Sequence, residues 1–246
     1  MQLRYILVLS MISPLGGCAT SIHHSDTTIV EQHNRAHELE TTPSIPTVPP
    51  PITVPEKGQS LPASYSTPSR SAIVLSASQL IGARTITSQG KSIAYDCAGV
   101  TRAIYLRHGI DLYSDAQSDP RANGVRLIYN HIRRHGILHQ GPEVHPGDLV
   151  FFDNTWDFNG DGKLNDPLTH VGIVEQLEPD GTVIFISRVS GAIERYRMNL
   201  DFPHIHKTAD GRVLNDYIRR KLPTDPENTG RLTGELFASF GNRLSP

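Results

Sequence analysis

The sequence has few cysteines and no excess of basic residues, and both scarcities narrow its possible functions. Among 246 residues only Cys18 and Cys97 carry a thiol. One disulfide would be a fair default in an exported protein, but each cysteine has a separate explanation below, which predicts that no disulfide forms. The formal net charge of -2 offers no basic surface for a phosphate backbone, so we expect no nucleic-acid partner.

Long apolar runs are also missing. The longest near the start is Tyr5 to Ile12, which is shorter than the roughly 20 residues that a membrane-spanning helix requires. Arg4 precedes this run, and a short charged start followed by an apolar middle is typical of a secretory signal.

The tetrapeptide Leu15-Gly16-Gly17-Cys18 follows directly and resembles the lipobox of bacterial lipoproteins. The resemblance implies that residues 1–18 form a lipoprotein signal and that Cys18 receives a diacylglyceryl group and becomes the new N-terminus. Two or three acyl chains would then anchor the protein stably. Ala19, in place of an aspartate, implies the outer membrane of a Gram-negative host, with the protein facing the periplasm. The alternative is an ordinary signal peptide with an incidental cysteine.

Much of the proline is concentrated in one segment. Residues 19–70 are poor in large apolar side chains, and the stretch from Thr41 to Ser69 is rich in Pro, Ser and Thr. Such a composition predicts a disordered, extended tether; a docking segment for a partner is the alternative. A folded domain is expected over residues 71–246, with a C-terminal extension, and we expect a monomer.

The pattern of the domain changes from helical to extended along the chain. Helical periodicity predicts helices over Ala72–Ile81, Cys97–His108 and Val125–His135. Short β-branched or aromatic runs then predict four strands, at Asp148–Phe152, Val171–Gln176, Thr182–Arg188 and Ile193–Met198. Further helices are expected at Tyr217–Leu222 and Leu232–Phe240. Helices followed by antiparallel strands indicate an α+β domain, with N-terminal helices packed on an antiparallel sheet.

Cys97 lies at the start of the second predicted helix, in Tyr95-Asp96-Cys97-Ala98-Gly99. A helix N-terminus stabilises a thiolate, and its free N–H groups can hold an oxyanion. His170, at the entry to a predicted strand, is suited to act as the base. A buried inert cysteine and a structural histidine are the alternatives, and Asp96 is expected to cap the helix.

Three segments together resemble the NlpC-type cell-wall cysteine peptidases. They are DCAGVTRAIYLRHGIDL, HPGDLVFF and THVGIVEQLEPDGTVIFIS, in that order along residues 72–200. The resemblance implies a papain-like fold and hydrolysis of amide bonds in peptidoglycan stem peptides, often next to D-glutamate. It carries Cys97 over as nucleophile and His170 as base.

Two positions depart from that family. Ser187 occupies the place of the third polar residue that orients the histidine, commonly His, Asn or Gln. The tyrosine that often lies about a dozen residues before the cysteine is missing from Ala83–Thr87. The departures leave open a catalytically weak or inactive wall-binding lipoprotein, and an amidase or acyltransferase of the same superfamily.

A polar loop interrupts the chain between the second motif and His170. Asp157, Asn159, Asp161, Lys163 and Asn165 match alternate positions of an EF-hand-like calcium loop, and Gly162 allows its sharp turn. The closing position is Leu168 rather than glutamate, with Asp166 or Asp153 as possible substitutes. No cofactor is expected to be required, and calcium would be structural; a polar turn is the alternative. His204-Ile205-His206 lacks the ligand spacing of a zinc site.

Overall fold

The computed structural model describes residues 68–88 and 91–244. The predicted signal peptide, the lipobox with Cys18 and nearly all of the predicted tether lie outside these residues. Within them, no helix combines the length and the apolar character needed to cross a membrane.

Three helices form the first half of the domain, as the periodicity predicted. The elements in chain order are α1 (Arg70–Ser78), β1 (Thr87–Ser88), β2 (Lys91–Ser92), α2 (Cys97–Arg107), a 3-10 turn (Ala116–Ser118) and α3 (Gly124–His135). The side chains of Ser69, Asp96 and Asn123 cap the three helices by accepting a hydrogen bond from a backbone N–H in the first turn. Such caps typically contribute about 1 kcal/mol each, which explains where the helices begin.

The second half of the domain is a six-stranded antiparallel sheet. Its strands are β3 (Ile137–His139), β4 (Leu149–Phe152), β5 (His170–Leu177), β6 (Val183–Val189), β7 (Ala192–Met198) and β8 (Phe237–Asn242). The spatial order is β3-β8-β4-β5-β6-β7. The predicted α+β class, with N-terminal helices on an antiparallel sheet, is confirmed.

The sheet has a separate apolar cluster on each side, because side chains alternate along a strand. Val171, Ile173 and Ile186 pack with the helices, around buried residues such as Tyr105 and Ile128. The opposite cluster contains Phe152, Val174 and Phe185, and it is covered by Ile218 and Leu236 from the segment 199–236. The first five residues of β5 are therefore buried on both faces of the sheet.

The predicted C-terminal helices were wrong. Residues 217–222 and 232–236 form no helix, and residues 237–242 form β8, which lies between β3 and β4. Leu232, Leu236 and Phe240 recur at four-residue spacing, which imitates a helical face. Phe240 instead pairs with both neighbouring strands, opposite His139 and Val150. These long-range contacts outweigh the local period.

Candidate active site

Cys97 is the first residue of α2 and is partly buried. The Asp96 carboxylate caps the helix, accepting a hydrogen bond from the Gly99 N–H at 2.7 Å. A Cβ at position 99 would overlap the carbonyl oxygen of Ala94, so glycine is required for the tight approach of the chain before the helix. These local interactions fix the direction in which the thiol points.

Burial dominates the electrostatics of the thiol and raises the pKa of Cys97 to about 11. The neighbouring carboxylate of Asp96 raises the pKa further. The backbone N–H groups of Val171, Ala98 and Cys97 itself stabilise the thiolate and so lower the pKa, but less than burial raises it. The resting side chain is therefore a neutral thiol at neutral pH.

His170 and Ser187 are both buried and lie within hydrogen-bond distance. The His170 Nε2 atom is 2.8 Å from Ser187 Oγ, and Ser187 Oγ donates its single proton to the Val171 carbonyl oxygen at 2.7 Å. Since the hydroxyl has no second proton, it must accept from Nε2–H. The Nδ1 atom of His170 is then unprotonated and free to act as a base.

The imidazole of His170 is neutral in the resting protein. Burial lowers the pKa of His170 to about 3, and the positive charge of Arg188 lowers it further. Within the described residues no hydrogen bond joins the Cys97 thiol to His170. The site therefore holds a neutral thiol and a neutral imidazole, in contrast to a thiolate–imidazolium pair.

Cys97 and His170, the predicted nucleophile and base, line one pocket of about 480 Å³. It is lined by Asp96, Cys97, Ala98, Asn123, Gly124, Val125, Thr155, Trp156, Phe158, Thr169, His170, Arg188, Val189, Ser190, Ile218 and Arg220. Cys97 comes from the helical half and His170 from the sheet. Ser187 lies behind the histidine, outside this lining, where it can orient the ring without touching a substrate.

Two arginines line the pocket, and sequence reasoning did not assign them to the site. Arg188 follows Ser187 and points to the opposite face of β6, since the register of that strand with β7 is uninterrupted. Its guanidinium lies 5.0 Å from the centre of the Tyr95 ring, and its buried Nε has no hydrogen-bond partner in the part of the chain that the structure describes. Arg220 comes from the segment 199–236 and is exposed.

Aromatic side chains also surround the pocket in ways that the motifs did not reveal. Trp156 and Phe158 are 51% and 47% exposed, and their rings meet edge to face with centroids 5.1 Å apart. On the helical side, burial raises the pKa of Tyr113 to about 12, with the carboxylate of Asp96 adding to the effect. Tyr113 is therefore a neutral phenol, and its hydroxyl packs against Gly124 of the pocket lining. Tyr95, whose ring faces the Arg188 guanidinium, donates its hydroxyl proton to the Ala83 carbonyl oxygen.

The predicted cation loop forms a closed, exposed turn on one side of this pocket. Asp157 accepts hydrogen bonds from the N–H groups of Gly160 and Gly162, at 2.8 and 2.9 Å. Asp161 accepts from the Lys163 N–H at 2.8 Å and from the Asn165 side chain at 3.0 Å. The side chains predicted as calcium ligands therefore lie in one hydrogen-bonded loop. They have no part in the predicted chemistry of Cys97 and His170.

Asp115, His131 and His135 bring their side-chain ligand atoms within 4.8 Å of one another, a cluster that the sequence did not indicate. Arg134 approaches the Asp115 carboxylate at 3.4 Å, and Arg243 donates to His131 Nε2 at 3.1 Å. Two guanidinium groups oppose the entry of a cation, so the cluster is a hydrogen-bonded link between α3 and its neighbours.

Comparison with known proteins gives one distant curated relative. A gamma-D-glutamyl-L-lysine dipeptidyl-peptidase of Bacillus cereus is 25% identical over 133 residues, 54% of this chain. The chain spans only about a third of the length of that relative, 33%. No protein-family model matches the sequence.

Among solved structures, the NlpC/p60 domain of the peptidoglycan hydrolase SagA aligns with 52% of this chain and 87% of its own, at 21% identity and a TM-score of 0.28. The three motifs around Cys97 and His170 resemble those of cell-wall peptidases, and the curated relative is also a peptidase. The chain is similar to the NlpC-type cell-wall peptidases.

Proposed function

We propose that this protein is a thiol hydrolase that cleaves amide bonds in peptidoglycan stem peptides. The observation that carries the proposal is the shared pocket of Cys97 and His170, with the imidazole held by Ser187 in the tautomer that leaves Nδ1 free. A nucleophile, a base and an orienting group are the parts that nucleophilic catalysis requires.

The reaction follows from these positions. The Cys97 sulfur attacks the substrate carbonyl carbon while its proton moves to Nδ1 of His170. The oxyanion is stabilised by the backbone N–H groups at the start of α2. The C–N bond then breaks, and His170 returns the proton to the leaving amine. Water, deprotonated by His170, hydrolyses the thioester, releasing the acid and restoring the thiol.

Because both partners begin neutral, proton transfer and attack on the carbonyl must be coupled. The thiolate is not preformed at neutral pH, since the pKa of Cys97 is raised and that of His170 is lowered. The general base therefore carries a large part of the rate, typically about 10²–10⁴-fold.

The charge of the pocket favours a substrate with a free carboxylate. Arg188 and Arg220 outnumber the one acidic lining residue, Asp96. Guanidinium groups bind carboxylates in a bidentate geometry. The relative's name refers to a D-glutamyl bond, and a stem peptide with glutamate carries such a carboxylate. The masses of the cleavage products would identify the amide bond that is cleaved.

The anchor is part of the same proposal. Lipidation at Cys18 would hold the enzyme at the outer membrane, and residues 19–70 would let the domain reach the wall. Replacing Cys18 with serine should move the full chain from the membrane fraction to the soluble fraction. Unchanged membrane retention of Cys18→Ser would contradict the anchor without affecting the hydrolase proposal.

Digestion of purified muropeptides by the full chain, followed by mass spectrometry, tests the proposed activity. We expect two new fragments whose masses add up to the substrate plus one water, and none with Cys97→Ala. Cys18→Ser is the matched control, because it removes the other thiol and should cleave at the wild-type rate. Absence of cleavage by the wild type, or equal cleavage by Cys97→Ala, would contradict the proposal.

A second candidate is a wall-binding protein with little or no catalysis. The specific observation in its favour is the buried thiol, whose raised pKa opposes formation of the nucleophilic thiolate. This candidate predicts that wild type and Cys97→Ala sediment equally with intact sacculi while neither releases fragments.

A further inference from the structure

The geometry points to a calcium-binding site in the loop that follows β4, formed by the side chains of Asp157, Asn159, Asp161 and Asp166 and the backbone carbonyl of Lys163. Asn165 occupies the ninth loop position, from which a ligand often acts through a bridging water. The site goes beyond the proposed hydrolase function and can be tested without it.

The loop is closed at its base, so the fold holds its two ends together. The Asn154 N–H donates to the Asp166 carbonyl oxygen and the Asp166 N–H donates to Asn154 Oδ1, both at 2.8 Å. The Leu168 N–H donates to Asp153 Oδ1 at 2.7 Å. The Oδ1 atom of Asp153, named above as a substitute ligand, is therefore occupied by the hydrogen bond that closes the loop.

A buried carboxylate oxygen beneath the loop requires a partner. Asp166 is only 4% exposed, and its Oδ2 atom has no hydrogen-bond partner among the described residues. Its Oδ1 atom accepts from the Asn159 N–H at 3.2 Å, which turns the carboxylate toward the third position of the loop. An uncompensated buried carboxylate is costly, and a bound cation would compensate it.

The protein itself supplies no such compensation. In the described part of the chain, no nitrogen of a lysine, arginine or histidine lies within 4.0 Å of the carboxylates of Asp157, Asp161 or Asp166. Among the described residues, the carboxylate oxygens of Asp157, Asp161 and Asp166 do not all lie within 4.8 Å of one another, so a bound cation would draw the exposed part of the loop toward Asp166. Together with the amide oxygen of Asn159, they offer hard-oxygen donors whose charge suits a divalent cation. Calcium is favoured over magnesium because it accepts six to eight oxygens in a flexible loop.

Asp166 replaces the missing closing ligand. In the loop numbering that starts at Asp157, the twelfth position is Leu168, which has no side-chain oxygen. Asp166 precedes it by two positions, and its free Oδ2 takes over that role from beneath the loop. Gly162 has a φ of +74°, the left-handed conformation that the sharp turn requires and that glycine adopts without strain.

The site would stiffen one wall of the active-site pocket. Trp156 and Phe158, which line the pocket, lie on either side of Asp157. Thr155 joins the loop to the residue before His170, through hydrogen bonds from its N–H and its hydroxyl to Thr169 Oγ1, each 2.9 Å long. A cation at the loop therefore fixes the aromatic entrance relative to the catalytic histidine.

The chain contains a single tryptophan, and Trp156 adjoins the first ligand, which makes terbium luminescence a direct assay. The full chain is treated with EDTA, dialysed and titrated with Tb³⁺ under excitation of the tryptophan. We expect saturable luminescence that Ca²⁺ displaces and that an equal concentration of Mg²⁺ does not. Asp161→Asn and Asp166→Asn should each weaken the apparent affinity for Tb³⁺ by at least about tenfold.

Asp201→Asn is the matched control, because Asp201 is an exposed acid outside the loop, and it should bind Tb³⁺ as the wild type does. Asp161 is also exposed, so Asp161→Asn tests the site without risk to the buried structure around Asp166. The proposal is overturned if the luminescence is absent, if Ca²⁺ fails to displace Tb³⁺, or if all three variants behave alike. Failure of muropeptide digestion would leave these binding results unchanged.

Discussion

Two walls of the same pocket differ in burial and in charge. The catalytic wall, named for its proposed role, contains Cys97 and His170. His170 is 8% exposed and is backed by Ser187, which is 1% exposed, and both the thiol and the imidazole are uncharged. The entrance wall, with Trp156 and Phe158 about half exposed, is accessible to solvent and adjoins the carboxylates of the predicted calcium loop. Buried hydrogen-bonded groups keep a fixed geometry, while exposed groups are free to meet a ligand. We therefore expect the catalytic wall to control kcat and stability, and the entrance wall to control KM.

The largest effect on activity is expected at the base. His170→Gln keeps a polar side chain but removes the atom that accepts the thiol proton. Cleavage of muropeptides should fall by about 10²–10⁴-fold in kcat, with KM nearly unchanged. The measurement is steady-state kinetics of fragment release. A loss of less than about tenfold would show that another group acts as the base.

Acid pH should destabilise the folded protein through the same histidine. The pKa of His170 lies near 3 in the folded protein and near 6.5 in the unfolded chain. Below about pH 6.5 the unfolded chain binds a proton that the folded protein does not, so the free energy of unfolding falls as pH drops toward 3. The contribution of His170 to the free energy of unfolding is therefore complete only above about pH 6.5.

Urea unfolding at a series of pH values, for wild type and His170→Gln, measures this contribution. Other acidic groups, such as Asp111 and Asp225, have lowered pKa values and also weaken the fold in acid, so the difference between the two proteins isolates His170. The wild type should lose more stability than the variant between about pH 6.5 and 4. Parallel pH curves would show that His170 is not desolvated in the folded state.

A smaller effect is expected at the orienting hydroxyl. Ser187→Ala leaves His170 Nε2 and the Val171 carbonyl without their partner, so stability should fall by about 1–3 kcal/mol and kcat by about tenfold. Ser239 is also a buried serine, 7% exposed, and its hydroxyl has no partner among the described residues. Ser239→Ala should therefore be neutral in both thermal unfolding and kinetics. Equal effects of the two substitutions would contradict a specific role for Ser187.

The smallest effect is expected at the entrance wall. Trp156→Ala should leave the free energy of unfolding within about 0.5 kcal/mol of the wild type, because the side chain is half exposed. KM should rise several-fold, with kcat nearly unchanged. Phe202 is 56% exposed and lies outside the pocket, so Phe202→Ala should change neither constant. A fall in kcat without a change in KM would place Trp156 in the chemistry instead of at the entrance.

The contrast between the walls also explains what the sequence could predict. Cys97 and His170 stand in short local motifs, at a helix start and a strand start, and such patterns are readable along the chain. Arg220, Trp156 and Tyr113 stand in loops without periodicity. Arg220 and Trp156 line the same pocket as Cys97 although they are distant from it in sequence, and a local pattern contains no information about such proximity.

The fold shows the same division. Helices α1 to α3 follow a period of 3.6 residues, and strands β4 to β7 contain short β-branched or aromatic runs. Both signals depend only on neighbours in sequence. The first four residues of β8 were predicted as the end of a helix over Leu232–Phe240. The pairing of β8 with β3 and β4 instead joins residues far apart in sequence, 101 positions in the case of Phe240 and His139, and only tertiary packing decides it.

The pH dependence of Cys97 alkylation tests the neutral resting pair most directly. Iodoacetamide reacts with the thiolate, and Cys18→Ser leaves Cys97 as the single thiol of the full chain. A pKa of Cys97 near 11 predicts that the alkylation rate rises about tenfold per pH unit from about pH 5 to about pH 9, without a plateau. A plateau that begins below about pH 6 would reveal a preformed thiolate–imidazolium pair, and would contradict the account.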